Sequence, residues 1–192
     1  PSPQAWLQHH SQTISGFMDY DATASSDDEI ESTLHHWFAG TDWNKPGYRF
    51  HSLGSDGTGG QIALWVRPTA SPPHPVVFLG SEGGYGVLAA TSGAWLQTLA
   101  HGPSLAEYPV PARLSGEAGY LLEEDEDGTA AAALELYAEA VKAEFGDLPP
   151  LDTLTKGLDA LQTEFCDWVG ALQGAIEAEA NREREAQKAR LD

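Results

Sequence analysis

The sequence predicts an α+β fold: an antiparallel sheet of about four to six strands with helices before and after it. Two observations carry this. Four short strand-like segments, 48–53, 61–67, 76–79 and 85–90, follow one another through connections that hold no helix. Parallel neighbours need a crossover of a dozen or more residues, so an antiparallel meander is predicted. The segments 3–15, 26–40, 129–145 and 152–190 carry apolar residues at helical spacing or strong helix formers.

Trp6, Leu7 and Ile14 are the buried candidates of the first helix. Residues 19–26 read as a polar loop. Ser26 reads as an N-cap, with Asp27, Asp28 and Glu29 in the first turn, where the helix dipole favours acids. Glu29 stands three residues after Ser26, the spacing of a capping box. Ile30, Leu34, Trp37 and Phe38 supply the apolar face, and Gly40 the stop.

Of the strands, 48–53 and 61–67 are joined by the turn Gly54-Ser55-Asp56-Gly57-Thr58-Gly59-Gly60. Pro72, Pro73 and Pro75 interrupt the chain, and Val76-Val77-Phe78-Leu79 is an apolar run suited to a central strand. A second glycine turn, Gly80-Ser81-Glu82-Gly83-Gly84, leads into 85–90. Ser92 reads as the cap of a helix carrying Trp95, Leu96 and Leu99, stopped at Gly102-Pro103. Residues 103–128 read as irregular. The last helix is apolar at Leu154, Leu158, Leu161, Phe165, Trp168, Val169, Leu172 and Ile176, and nearly all alanine and charge beyond. One domain over 1–192 is expected, with an N-terminal helical segment over 1–47, a sheet core and following helix over 48–101, and C-terminal helices over 129–192.

Ten Lys and Arg stand against 29 Asp and Glu, a net charge of −19. Four of the bases, Arg182, Arg184, Lys188 and Arg190, fall near the C-terminus, so the rest is more acidic still. Phosphate backbones and anionic lipid surfaces both require a basic footprint, so nucleic acid and membrane are not expected as partners. The single Cys166 rules out an internal disulfide framework and a cysteine zinc site, and suits a reducing compartment. No signal-peptide pattern is visible, and a cytoplasmic location is expected.

Several patterns imitate chemical sites. His9-His10 and His35-His36 invite a metal, but adjacent helical residues point about 100° apart and do not chelate one ion from one face. Residues 123–128 imitate the start of a calcium loop, yet its twelfth position is Leu134, where a bidentate Glu is needed. Both glycine turns lack the phosphate-loop Lys, and Asp56 and Glu82 beside them would repel phosphate. Hairpin turns needing positive φ explain them. Ser81 lacks the GxSxG frame of a nucleophile elbow. Cys166 falls on an apolar stripe and reads as a buried thiol, and Trp37, Trp65, Trp95 and Trp168 read as core. No catalytic residue, metal or cofactor is expected.

Ser55-Asp56-Gly57-Thr58-Gly59-Gly60, Ala63-Leu64-Trp65, the run from Pro75 to Gly83, and the helix with Ala94, Trp95, Leu96, Leu99 and Ala100 together resemble the SUKH superfamily of SMI/KNR-type domains. The resemblance covers 48–101; the superfamily's usual N-terminal Leu-Pro, aromatic and Asn-Gly pattern is absent. It implies a curved antiparallel sheet with helices packed around it. It further implies a protein that acts by binding, with no active site, as an immunity protein neutralising a cognate secreted bacterial toxin. Gly57, Gly59, Gly80 and Gly83 are the matching structural glycines.

The acidity of the chain suits a basic, nuclease-type toxin domain, whose phosphate-binding face would attract it. Trp43, Tyr85 and Tyr120, near turns, are the candidate aromatic anchors. Asp56, Glu82, Glu123, Glu124, Asp125, Glu126 and Asp127 are the candidate surrounding charges. The long C-terminal stripe also offers a surface to the toxin or to a second copy as a homodimer. Two other readings stay open: a regulatory or scaffold module of the same fold, and a metal-dependent hydrolase using the His pairs and carboxylates.

Overall fold

A computed structural model of the chain describes residues 2–38, 47–107 and 109–191, excepting the side chains of 27, 36, 116, 118, 120 and 189–191. The element order is α1 (Pro3–His9), α2 (Ser11–Ser15), β1 (Tyr20–Asp21), α3 (Asp27–Trp37), β2 (Arg49–Asp56), β3 (Gln61–Val66), β4 (Val76–Leu79), β5 (Tyr85–Ala89) and α4 (Ser92–Leu99). There follow β6 (Pro103–Ala106), β7 (Arg113–Ala118), α5 (Tyr120–Glu123), α6 (Thr129–Phe145), α7 (Leu151–Leu154) and α8 (Leu158–Leu191). Strands β1 to β5 form one sheet in sequence order, every pair antiparallel. The α+β class and the antiparallel meander are as the sequence predicts.

The sheet is buried on both faces, and the strand period of two assigns the side chains. Ile62, Val76, Phe78 and Leu88 face one core, shared with Leu7 of α1, Ile14 of α2, Trp95 of α4 and Tyr137 of α6. Ala63, Trp65, Val77, Leu79 and Val87 face a second core, shared with Ile30 and Leu34 of α3 and Phe165 and Val169 of α8. Strand β4 is buried at every position because it lies inside the sheet with helices on both sides. Leu158, Leu161, Trp168, Leu172 and Ile176 also pack on the second core, so the long apolar stripe is turned onto the sheet as far as Ile176.

Ser26 and Glu29 form the expected capping box: the Glu29 N–H donates to Ser26 Oγ (3.3 Å) and the Ser26 N–H to Glu29 Oε2 (2.8 Å). Elsewhere the structure corrects the sequence reading. The first helix divides at His10, whose φ of −100° and ψ of 9° leave the helical region. The cap of α4 is Thr91, whose Oγ1 accepts from the Ala94 N–H at 3.0 Å, rather than Ser92. The last helix is interrupted between α7 and α8, where Gly157 has φ of +81°. Residues 103–128 hold an antiparallel pair, β6 with β7, and the short α5. The prolines 109 and 111 and the glycines 116 and 119 hid those strands from a pattern-based reading. Strand β1, two residues inside a polar stretch, was too short to be predicted. Gly40, read as the stop of α3, lies outside the described residues.

Candidate functional site

Two glycine turns meet at one end of the sheet. In the β2–β3 turn, Asp56 Oδ1 accepts from the Thr58 N–H (3.1 Å), the Thr58 hydroxyl (2.9 Å) and the Gly60 N–H (2.6 Å). Its carboxylate thus holds the hairpin together. In the β4–β5 turn the Gly80 N–H donates to Gly84 O at 2.7 Å. The Ser81 hydroxyl donates to Thr58 Oγ1 at 3.2 Å and ties the two turns side by side. Gly59 and Gly83 adopt φ of +91° and +92°, which explains a glycine at each.

Gly80 and Gly84 are needed for a different reason. Glu107, at the end of β6, lies across their turn: its Oε1 accepts from the Gly84 N–H at 2.9 Å. A Cβ at either glycine would collide with the Glu107 side chain. The backbone cradle that imitates a phosphate loop is filled by the protein's own carboxylate. Nothing within 80–84 announces this, since Glu107 is brought there by the unpredicted β6–β7 pair.

The predicted partner-binding residues separate into groups. Glu82 stands exposed in the β4–β5 turn. Asp56, half-buried, is engaged as described. Tyr85 is half-buried: its ring packs edge-on to Trp37 and Phe165 against the second core, and burial pushes its pKa up. Glu123, the last residue of α5, is exposed, as are Glu124 and Glu126 between α5 and α6. Asp125 accepts from the N–H groups of Ala130 (3.1 Å) and Ala131 (2.8 Å) and so caps α6, while Asp127 accepts from the Thr129 hydroxyl (2.6 Å). Those bonds hold the Asp127 carboxyl below the usual range. The false calcium loop is therefore a helix start. Tyr120 opens α5, and its side chain, like all of Trp43, lies outside the described residues.

Beside the paired turns a cavity of about 510 Å³ opens between α3 and the sheet. Ser32, Thr33, Leu34 and Trp37 of α3 line one side, and Gly59, Gln61, Leu79, Gly80 and Ser81 the other. The Trp37 indole N–H donates to Gly80 O at 3.1 Å, fixing the ring against the turn. Gln61 Oε1 is buried and, among the described residues, accepts no hydrogen bond. Sequence reasoning places Trp37 simply in the core; its role as a wall follows from how α3 lies on the sheet. The helical spacing of Thr33 and Trp37, four apart, is the one local signal that a polar and an aromatic side chain share a face.

Segments 19–21, 54–61 and 79–86, which build this end of the sheet, hold Asp19, Asp21, Asp56 and Glu82 and no Lys or Arg. Arg49 and Arg67 lie at the opposite ends of β2 and β3, and Arg67 is paired with Glu164 at 2.6 Å. Among the described residues no three His, Cys, Asp or Glu side chains converge as metal ligands, and no helix is long and apolar enough to cross a membrane. His9 and His10 lie ring to ring at 4.8 Å, with His10 also against Trp6 and Tyr137. Cys166 is half-buried, its Sγ 3.5 Å from Gln162 Nε2. The chain matches no family model, no curated protein and no solved structure. The arrangement sets turn segments that carry Asp19, Asp21, Asp56 and Glu82 beside a hollow walled by Trp37 and lined by both donors and acceptors.

Proposed function

We propose that the protein is a SUKH-type immunity protein, which binds a cognate secreted bacterial toxin in the cytoplasm and neutralises it by stoichiometric occlusion. The observation that carries this reading is the sheet end at which the two glycine turns are tied together, rimmed by Asp19, Asp21 and Glu82 with no base in the segments that form it. A rigid hairpin platform offers a partner a preorganised surface, which lowers the entropic cost of docking. The net charge of −19 adds long-range attraction to a basic face, as a nuclease must present to phosphates.

Tight binding also needs a desolvated centre. The hollow lined by Trp37, Leu34 and Leu79 supports one, with the half-buried Tyr85 packed edge-on to Trp37 beside it. The exposed Glu123, Glu124 and Glu126 extend the acidic surface. The test is co-expression with the product of the neighbouring gene. Rescue of growth by the full chain, together with a one-to-one complex on purification, is the expected result. Unrelieved toxicity, or relief with no complex, would overturn the reading.

A further inference from the structure

We infer that the exposed end of α8 is an arm through which two copies of this chain associate, the arm of each laid antiparallel along the outer face of α6 of the other. The inference stands apart from the toxin reading and is tested on the protein alone.

The arm leaves its own fold. α8 packs on the second core only as far as Ile176, yet the helix runs on to Leu191. From Glu177 to Lys188 every residue is exposed except the half-exposed Ala180. The outer face of α6 is also uncovered. Ala130, Tyr137 and Val141 bury one side of that helix, and a surface helix ordinarily turns charge to the opposite side. Here Ala132, Leu136, Glu139 and Ala143 stand exposed there, spaced four, three and four apart as in a coiled-coil seam. Leu136 is the most exposed large apolar side chain among the described residues, at 68 %. With both elements exposed, the arm does not cover the α6 of its own chain.

Charge selects the occupant. A chain of net charge −19 repels its own copy unless unlike segments meet. Residues 178–191 carry four of the ten bases against three acids. Residues 123–147, which hold α6 and its approach, carry nine acids and one base, Lys142. When an antiparallel arm sets Arg182 opposite Glu139, the helical repeat brings Ala178 to Ala143 and Lys188 within reach of Glu135. Glu185 then falls beside Leu136, its methylenes against the leucine and its carboxylate toward water. A charged pair within an otherwise small and apolar seam also fixes the register. In the free chain Arg182 is paired with Glu179 at 2.9 Å, both side chains exposed, and so exposed a pair is readily exchanged. Each copy offers one arm and one face, so a reciprocal pair uses both twice and leaves neither open. Neither copy gives up core packing, so the association depends on concentration and leaves the stability of the single chain unchanged.

The experiment is analytical ultracentrifugation of the full chain from about 1 μM to about 1 mM at constant ionic strength. The mass is expected to rise with concentration from that of one chain toward that of two. Glu139→Arg and Arg182→Glu are each expected to weaken association at least about tenfold, because the altered pair occurs twice in the dimer. Both changes in one chain exchange the charges and are expected to restore association to within about threefold of the parent. Leu136→Glu is expected to abolish it. All three positions are exposed, so each variant is expected to unfold thermally like the parent at about 1 μM. A single-chain mass at every concentration, association unmoved by either single reversal, or a double variant no tighter than the single ones would overturn the inference.

Discussion

Buried polar groups stabilise this fold at single residues where a hydrogen bond replaces lost water. The Tyr20 hydroxyl donates to Leu53 O at 2.7 Å inside the first core and joins β1 to β2. Tyr20→Phe removes that donor and is expected to lower stability by about 1–2 kcal/mol, measured by chemical denaturation. His10 gives a pH signature. Burial, and then the neighbouring charge of His9, hold its pKa below 6.5. The unfolded chain therefore takes up the proton first, and stability falls as pH drops below 6.5 toward the folded value. Thermal unfolding compared at about pH 7.5 and about pH 5.5 is expected to show a smaller drop in His10→Gln than in the parent. At this scale the capping box of Ser26 and Glu29 was legible because it closes within four residues. Tyr85 was not, since which face of β5 it takes depends on the register with β4.

Elements show the same division between local and distant causes. The glycine hairpins and the apolar run of β4 were legible, because turn chemistry and two-sided burial leave direct marks in sequence. Strands β6 and β7 were not: they pair only with each other, and prolines and glycines interrupt the pattern. With those strands hidden, Glu107 was hidden too, and so was the reason for Gly80 and Gly84. The candidate site was half legible in consequence, its turns but not its cavity, which exists only once α3 is laid on the sheet. Helix α8 offers a sharp contrast along one element. Phe165 is fully buried against Trp65, at 4.9 Å between rings, whereas residues beyond Ile176 leave the core. Phe165→Ala is expected to cost about 3–5 kcal/mol. Removal of residues 178–192 is expected to change stability by less than about 0.5 kcal/mol, read from the same denaturation curves.

For the whole molecule, the helices on both sheet faces leave the ends of the sheet as its exposed strand termini, and the turn end is acidic. Electrostatic steering belongs to this scale, since it sums charges over the entire surface. Raising salt from about 0.05 M to about 0.5 M is expected to slow association with a basic partner by roughly tenfold or more, with little change in dissociation. A rate indifferent to salt would remove steering from the picture. The measurement that reaches furthest tests the proposed toxin partner directly: the activity of the neighbouring gene's product is titrated with this protein. Linear loss of activity, reaching zero at one equivalent, is the result expected of a stoichiometric inhibitor. Inactivation completed at a small fraction of an equivalent would mean that the protein turns its target over, and undiminished activity in excess inhibitor would mean that it does not bind that target; either contradicts neutralisation by docking.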